Sequence, residues 1–148
     1  MGDIHLKAIG YVERKAQDSS VKNKSNISDL VLKEELTAGL HGIEDFSHIF
    51  VLFWLSNISN TDRQIMKVYP RGRTDVPLLG IFATRTQFRP NPIGLTSARA
   101  NRLTVRGLDA FEGTPIIDIK PVDSWDFVED MRLPDWWLRL ENERLKKI

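Results

Sequence analysis

The spacing of apolar segments along the chain constrains its fold more than any other feature. Short runs of β-branched and aromatic residues recur about every ten residues and are separated by Gly and Pro. Before residue 134, few segments repeat at the helical period of about 3.6 residues. Short strands joined by tight turns are typical of an antiparallel barrel. We therefore predict a mainly β protein, with a single antiparallel β-barrel domain over residues 1–133, short helical segments, and a C-terminal docking helix over residues 134–148 of the same domain.

Individual elements follow from local patterns. The run at residues 48–55 is continuously apolar and β-rich, which predicts a central strand buried on both faces. Its first residue, His48, is interpreted as a hydrogen-bonded core histidine, with a catalytic role as the alternative. Residues 13–28 are polar and predict a mobile loop, and residues 35–40 suit a helical turn. Further strands are predicted at residues 5–12, 27–34, 63–68, 78–84, 95–103, 104–108 and 116–119.

The tail has the features of an α-helix. Pro134 suits a first helical turn, while Asp135 near the start and Arg144 near the end agree with the helix dipole. Trp136 and Trp137 are interpreted as packing anchors, with base stacking as the alternative. We expect this helix to dock on its own barrel or on a partner subunit.

Charge is distributed unevenly, although the net charge is only +1. Residues 63–106 contain nine Lys or Arg and one Asp, whereas residues 107–131 contain seven Asp or Glu and one Lys. A basic block of this kind can bind phosphates, and an acidic one can bind a cation or a hydroxylated ligand. Alternatively, the two blocks pair with each other across the fold.

Composition excludes several classes of protein. The absence of cysteine excludes a disulfide framework and thiolate metal sites. The N-terminus lacks the apolar core of a signal peptide, and the longest apolar run is too short to span a bilayer. No Gly-x-Gly-x-x-Gly motif follows a predicted strand, which disfavours a doubly wound nucleotide-binding fold. We expect a cytoplasmic protein without a metal ion or membrane association.

Residues 80–97 contain a loop with two arginines and two prolines. The planar guanidinium groups of Arg85 and Arg89 suit carboxylates, phosphates or aromatic faces. Pro90 and Pro92 fix their own φ angles and force the preceding residues out of the α region. A stiff loop that presents such groups is typical of a recognition site. Alternatively, it is a rigid turn whose arginines pair with acidic neighbours.

Three segments resemble the TsaA-like, or TrmO, family. They are Phe82-Ala83-Thr84-Arg85 through Arg89-Pro90-Asn91-Pro92-Ile93-Gly94-Leu95, the later run at residues 107–121, and the earlier run at residues 42–54. The resemblance extends over residues 4–122. It implies a small β-barrel methyltransferase that uses S-adenosyl-L-methionine and methylates the exocyclic N6 of threonylcarbamoyl-adenosine beside the tRNA anticodon. It also implies a homodimer with each cofactor pocket close to the subunit boundary.

The resemblance implies a set of cofactor-binding residues. Arg85 suits the methionyl carboxylate, and Leu95 and Leu108 offer apolar contact to the adenine or ribose. Backbone groups and the Asp109 carboxylate can bind ribose hydroxyls or the ammonium group. Family members carry a proline-containing, arginine-bearing segment after the first strand, which has no match here between residues 14 and 26. The expected cofactor-binding residues are Ser56, Asn57, Arg85, Leu95, Arg106, Gly107, Leu108 and Asp109.

The acceptor side of the site is expected at the loop and at a later strand. Arg89 can bind the carboxylate of a carbamoyl-threonine, and the Asn91 amide can bind its urea. Asn91 and Asp118 are the predicted catalytic residues, because Asp109 and Asp118 are the only motif carboxylates that can accept the proton. Alternatively, no dedicated base is needed, and Asp118 is a structural partner of Lys120 or Arg89.

Contacts to the tRNA anticodon loop are expected from the basic block. Arg71 and Arg73 are predicted phosphate contacts, with a solvated loop tip as the alternative. Two rival functions remain open. One is a methyltransferase with the same cofactor that acts on another RNA or on a small metabolite, and the other is a non-catalytic barrel that binds cofactor or RNA.

Overall fold

The computed structural model describes residues 1–147. Its strands and its α-helix are β1 (Gly10–Arg14), β2 (Ile27–Leu32), β3 (His48–Trp54), β4 (Lys67–Val68), β5 (Leu79–Gly80), β6 (Ile93–Asn101), β7 (Thr104–Arg106), β8 (Pro115–Pro121) and α1 (Asp135–Leu145). Six of the strands pair in one antiparallel sheet in the order β1-β2-β7-β6-β3-β8, and β8 pairs back with β1, which closes the sheet into a barrel. The short 3₁₀ segments are Asp18–Ser20, Glu34–Leu40, Ile43–Asp45, Asp62–Gln64, Pro70–Gly72, Ile81–Ala83 and Ser124–Asp126. This arrangement confirms the predicted mainly β class.

The interior of the barrel is filled by apolar side chains. On β3, Ile49, Val51 and Phe53 are buried and alternate with residues on the outer face. Val12, Leu30, Ala98, Val105, Leu108 and Ile116 from other segments complete the cluster. Functional side chains are therefore placed on the outer face of the barrel and on its loops.

Several predicted strands differ from those in the structure. The outer face of β3 is half-buried or exposed rather than buried, because no second layer covers it completely. The first strand starts at Gly10 instead of residue 5, since register with β2 begins there. Of residues 63–68 and 78–84, only Lys67–Val68 and Leu79–Gly80 are strands, and they pair as a two-stranded sheet. The strands predicted at residues 95–103 and 104–108 pair only over residues 99–101 and 104–106, around a tight turn that includes Arg102 at a φ of 54°.

Gly94 allows close packing between β3 and β6. It pairs with Phe53, and a Cβ atom at Gly94 would lie 2.2 Å from Cε2 of the Phe53 ring. The ring therefore packs directly against the glycine backbone. Because side chains alternate along a strand, the following residue, Leu95, lies on the outer face of the sheet.

The C-terminal helix docks on its own chain, through the loop that contains Arg71 and Arg73. Leu140 is buried, and the Arg71 guanidinium lies 5.1 Å from the centre of the Trp137 ring. Arg73 donates to Asp75 and to Glu143 of α1. Both guanidinium groups therefore hold the helix, and the phosphate contacts predicted for Arg71 and Arg73 stay a prediction.

Candidate active site

A row of three residues crosses the outer face of the barrel. Leu52 on β3 stands opposite Leu95 on β6 and opposite Asp118 on β8. Because neighbouring strands are about 4.8 Å apart, Leu95 and Asp118 lie about 10 Å from each other. The structure therefore brings a predicted cofactor residue and a predicted catalytic residue to one surface.

One side of β6 is open along its first half. β7 pairs only with residues 99–101 of β6, so residues 93–98 have no strand partner on that side within the described chain. The Leu95 carbonyl accepts a hydrogen bond from Arg85 Nη2 at 3.1 Å. Arg85 is exposed, and within residues 1–147 its Nε and Nη1 make no hydrogen bond. The open edge thus presents a guanidinium group with free donors.

The chain turns away from β6 after Arg106. Arg106 pairs with Arg99, but Gly107 has a φ of 83° and its N–H donates to Asn26 at 2.9 Å. Strand pairing between β6 and the segment that follows it therefore ends at Arg106. Asp109, in the segment after β7, is exposed. The predicted cofactor residues Leu95, Arg106, Gly107 and Asp109 therefore belong to two segments that separate at the end of β7.

The Leu108 side chain is not available for its predicted contact with the adenine or ribose. Its side chain is 0% exposed and packs in the core with Ala110. Apolar contact between this side chain and an adenine is therefore excluded in this structure. Only the backbone of Leu108 is left for such a contact.

Of residues 13–28, predicted to form a mobile loop, only 15–26 lie between strands, and this segment is anchored at both ends. The Arg14 side chain is buried and donates from Nη1 to the Ala110 carbonyl at 2.9 Å. At the other end, Lys24 Nζ lies 3.5 Å from the Gly107 carbonyl. Sequence reasoning missed Lys24 because one lysine in a polar loop carries no motif signal. Through this contact the loop brings the charged group of Lys24 to Gly107, one of the predicted cofactor-binding residues.

The remaining predicted loop residues lie at the end of β3. A backbone hydrogen bond of 2.8 Å from Leu55 N to the Pro92 carbonyl joins this end to the arginine loop. Ser56, Asn57 and Asn91, all exposed, flank this bond in sequence. The structure therefore brings together the two segments that carry these three polar side chains.

Arg89 stabilises the backbone of its own loop. Its Nη1 lies 3.1–3.4 Å from the carbonyl oxygens of Ile81, Thr84 and Thr86. Its guanidinium also lies 5.7 Å from the centre of the Phe82 ring. Nη1 therefore holds the loop backbone together and the other nitrogens remain for a ligand, so the predicted contact of Arg89 with the acceptor carboxylate stays a prediction.

Asp118 is paired with a neighbour on the same strand. Its Oδ2 lies 2.9 Å from Lys120 Nζ, and this hydrogen bond raises the pKa of Lys120. Both side chains are partly exposed. The structure therefore contains the pair of Asp118 with Lys120 that is the alternative to catalysis. The role of Asp118 as a proton acceptor stays a prediction.

A row of basic side chains crosses the next part of the outer face. His48, Arg99 and Arg106 stand opposite one another on β3, β6 and β7, and all three are exposed. His48 is thus not the predicted core histidine. No ion pair engages these side chains within residues 1–147. A surface cavity of about 260 Å³ lies at Arg99 and Arg106.

Two absences are established for residues 1–147. No helix there combines the length and the apolar character that a membrane crossing requires. No group of three or more His, Asp or Glu side chains in the same range is placed to hold a metal ion.

Comparison with known proteins assigns the family. The model of the tRNA-methyltransferase O N-terminal domain matches residues 13–126. This chain belongs to the TrmO family. A probable S-adenosyl-L-methionine-binding protein of Methanocaldococcus jannaschii is 39% identical over 122 residues, which cover 78% of this chain and 90% of the relative. The S-adenosyl-L-methionine-binding protein of Archaeoglobus fulgidus is 40% identical over 125 residues, which cover 78% of this chain and 86% of that protein.

Solved structures of TrmO share the fold. One crystal structure of TrmO matches with a TM-score of 0.69 at 26% identity, over 98% of this chain and 77% of that chain. TrmO from Pseudomonas aeruginosa matches with a TM-score of 0.68 at 28% identity, over 88% of this chain. This chain spans 61% of the Pseudomonas structure. The predicted resemblance to the TrmO family is confirmed.

Proposed function

We propose that this protein uses S-adenosyl-L-methionine to methylate the exocyclic N6 of threonylcarbamoyl-adenosine beside the anticodon of cytoplasmic tRNA. The family membership supports this activity, and two relatives carry S-adenosyl-L-methionine binding in their names. The observation that carries the proposal is the open edge along the first half of β6, where Arg85 presents free donors.

The residues at this edge and in the segment that follows β7 fit the cofactor chemically. Free Arg85 donors suit a carboxylate, and the Asp109 carboxylate suits ribose hydroxyls or an ammonium group. Leu95, with 44% of its surface exposed, offers an apolar contact to a base. Lys24 adds a cation beside Gly107. When bound, S-adenosyl-L-methionine supplies a methyl group on a sulfonium sulfur.

The protein's own contribution is mainly to position the reactants. In-line methyl transfer needs an aligned acceptor nitrogen, and holding two reactants in such a geometry accounts for a large share of the barrier reduction. Asn91 binds the urea of the acceptor, and the free nitrogens of Arg89 bind its carboxylate. Asp118 accepts the N6 proton once its contact with Lys120 opens, or the proton leaves to water without a dedicated base.

RNA phosphates are proposed to bind the row of His48, Arg99 and Arg106. Arg99 and Arg106 are like charges that stand directly opposite each other, which destabilises a sheet, and an anion bound over them offsets this repulsion. This row is proposed as the main phosphate-binding group instead of Arg71 and Arg73, because the charges of those two residues are matched by carboxylates of the helix and of Asp75. Backbone phosphates of an RNA strand suit the two arginines of this row, and the His48 ring can donate a hydrogen bond to a phosphate oxygen.

A homodimer is proposed to complete the site. The side chains of Arg85, Leu95, Arg106 and Asp109 are exposed in the single chain. Efficient transfer requires a site that excludes water, so a second copy of the chain is proposed to cover this surface. The interface is not assigned to α1, because that helix packs on its own chain.

The decisive experiment is mass spectrometry of tRNA nucleosides after incubation with the protein and methyl-labelled S-adenosyl-L-methionine. We expect label in N6-methylated threonylcarbamoyl-adenosine, and none when the tRNA lacks the threonylcarbamoyl group. Label in another RNA or in a small metabolite would identify that molecule as the acceptor instead. Cofactor binding without transfer to any acceptor would leave the non-catalytic alternative.

A further inference from the structure

Phe82 is an exposed aromatic residue in the loop that carries Arg85 and Asn91. Its surface is 78% exposed, whereas the preceding Ile81 is 1% exposed and anchors the turn in the core. A fully exposed Phe forgoes the burial that normally stabilises such a side chain. Its packing within the chain therefore does not explain an aromatic residue at this position.

The position of the Phe82 ring is held from one side. Arg89 donates to the carbonyls of Ile81, Thr84 and Thr86 on both sides of Phe82, which fixes the backbone there. The same guanidinium lies 5.7 Å from the ring centre. One face of the ring is thus backed by a cation, and the high exposure leaves the other face open to solvent.

We propose that the open face of Phe82 is a stacking platform for a nucleobase of the RNA substrate, next to the acceptor nucleotide. Aromatic side chains stack on any base because every base has a π-face. The surrounding charge favours RNA, since Arg85 and Arg89 flank Phe82 and make no ion pair within residues 1–147. This inference rests on the proposed function only in requiring that the acceptor is an RNA.

A second exposed aromatic provides a matched control. Phe127 is 79% exposed, but it lies in a segment with Asp126, Glu129 and Asp130. Those carboxylates repel RNA phosphates, so Phe127 is not expected to stack on a base. Phe82 and Phe127 therefore share residue type and exposure and differ in their surroundings.

The test uses an RNA hairpin with the sequence of an anticodon stem and loop, in which 2-aminopurine replaces the base next to the acceptor. Affinity is measured by fluorescence anisotropy, and stacking by quenching of 2-aminopurine. Phe82→Ala is expected to weaken binding about 5- to 150-fold and to reduce the quenching. Phe82→Tyr is expected to retain both. Phe127→Ala is expected to change neither, and none of the variants is expected to alter calorimetric affinity for S-adenosyl-L-methionine.

Several results would overturn the platform. Equal losses for Phe82→Ala and Phe127→Ala would do so, as would full affinity in Phe82→Leu, which keeps apolar bulk without a ring. A change in sedimentation of Phe82→Ala would assign the ring to a subunit contact instead. Methyl transfer to tRNA is measured in parallel. If the wild-type protein binds RNA through Phe82 but transfers no methyl group, only the proposed function is contradicted. If Phe82→Ala transfers methyl groups as fast as wild type at subsaturating tRNA, only the stacking platform is contradicted.

Discussion

Replacement of Gly94 by alanine tests the packing that places the site on β6. The new Cβ atom would lie 2.2, 2.4 and 2.7 Å from three atoms of the Phe53 ring. These distances are far below van der Waals contact, so the ring must move. Phe53 is 3% exposed in the core, and its displacement disturbs the barrel interior.

The size of the effect follows from two alternatives for the ring. If Phe53 stays in the core, the added methyl group overpacks it at a cost of about 1–3 kcal/mol. If the ring is expelled, the loss of its burial costs about 1.5–3 kcal/mol and leaves a cavity that adds to this. We therefore expect Gly94→Ala to lower the free energy of unfolding by about 2–4 kcal/mol, equivalent to a fall of about 5–15 °C in melting temperature.

Thermal and urea unfolding followed by circular dichroism measure this loss. Gly39→Ala is the matched control, because a Cβ atom at Gly39 would meet nothing within 4 Å and its φ is not in the left-handed region. Combining Gly94→Ala with Phe53→Leu should cost less than the sum of the two single changes, because the smaller side chain makes room for the methyl group. If Gly94→Ala and Gly39→Ala melt at the same temperature, the reasoning from this contact is refuted.

Three further predictions concern ligands and pH. Arg85→Ala should weaken calorimetric binding of S-adenosyl-L-methionine about tenfold or more, whereas Arg71→Ala should not; equal losses would mean that the basic residues act only as a diffuse field. Arg99→Ala should weaken RNA binding and reduce the dependence of log affinity on log salt by about one unit; an unchanged slope would remove Arg99 from the phosphate contacts. Arg73 lowers the pKa of Glu143, so the stability from this pair is present above about pH 4.3 and is lost as the pH falls through the lowered pKa. Tryptophan fluorescence should therefore report loosening of α1 in acid, and a pH-independent signal from wild type down to pH 2 would contradict it.

Local sequence was sufficient for the strand content, the tail helix and the family. Alternation and turn residues are properties of neighbouring positions, so β3, β6 and α1 could be predicted close to their observed places. The loop motif around Arg85 was recognisable because its prolines and arginines are adjacent in the chain. Exact strand ends were less predictable, since they depend on where a partner strand begins.

Contacts between distant segments required the folded chain. Arg73 looks like a free phosphate ligand in the sequence, but its partner Glu143 lies seventy positions later. Leu108 reads as an accessible motif residue, yet the turn at Gly107 directs its side chain into the core. Arg99 and Arg106 become a basic pair only through the register of β6 and β7. Periodicity specifies which face of an element is apolar, but the register between elements and the docking of the tail determine which charges are matched and which remain free for a ligand.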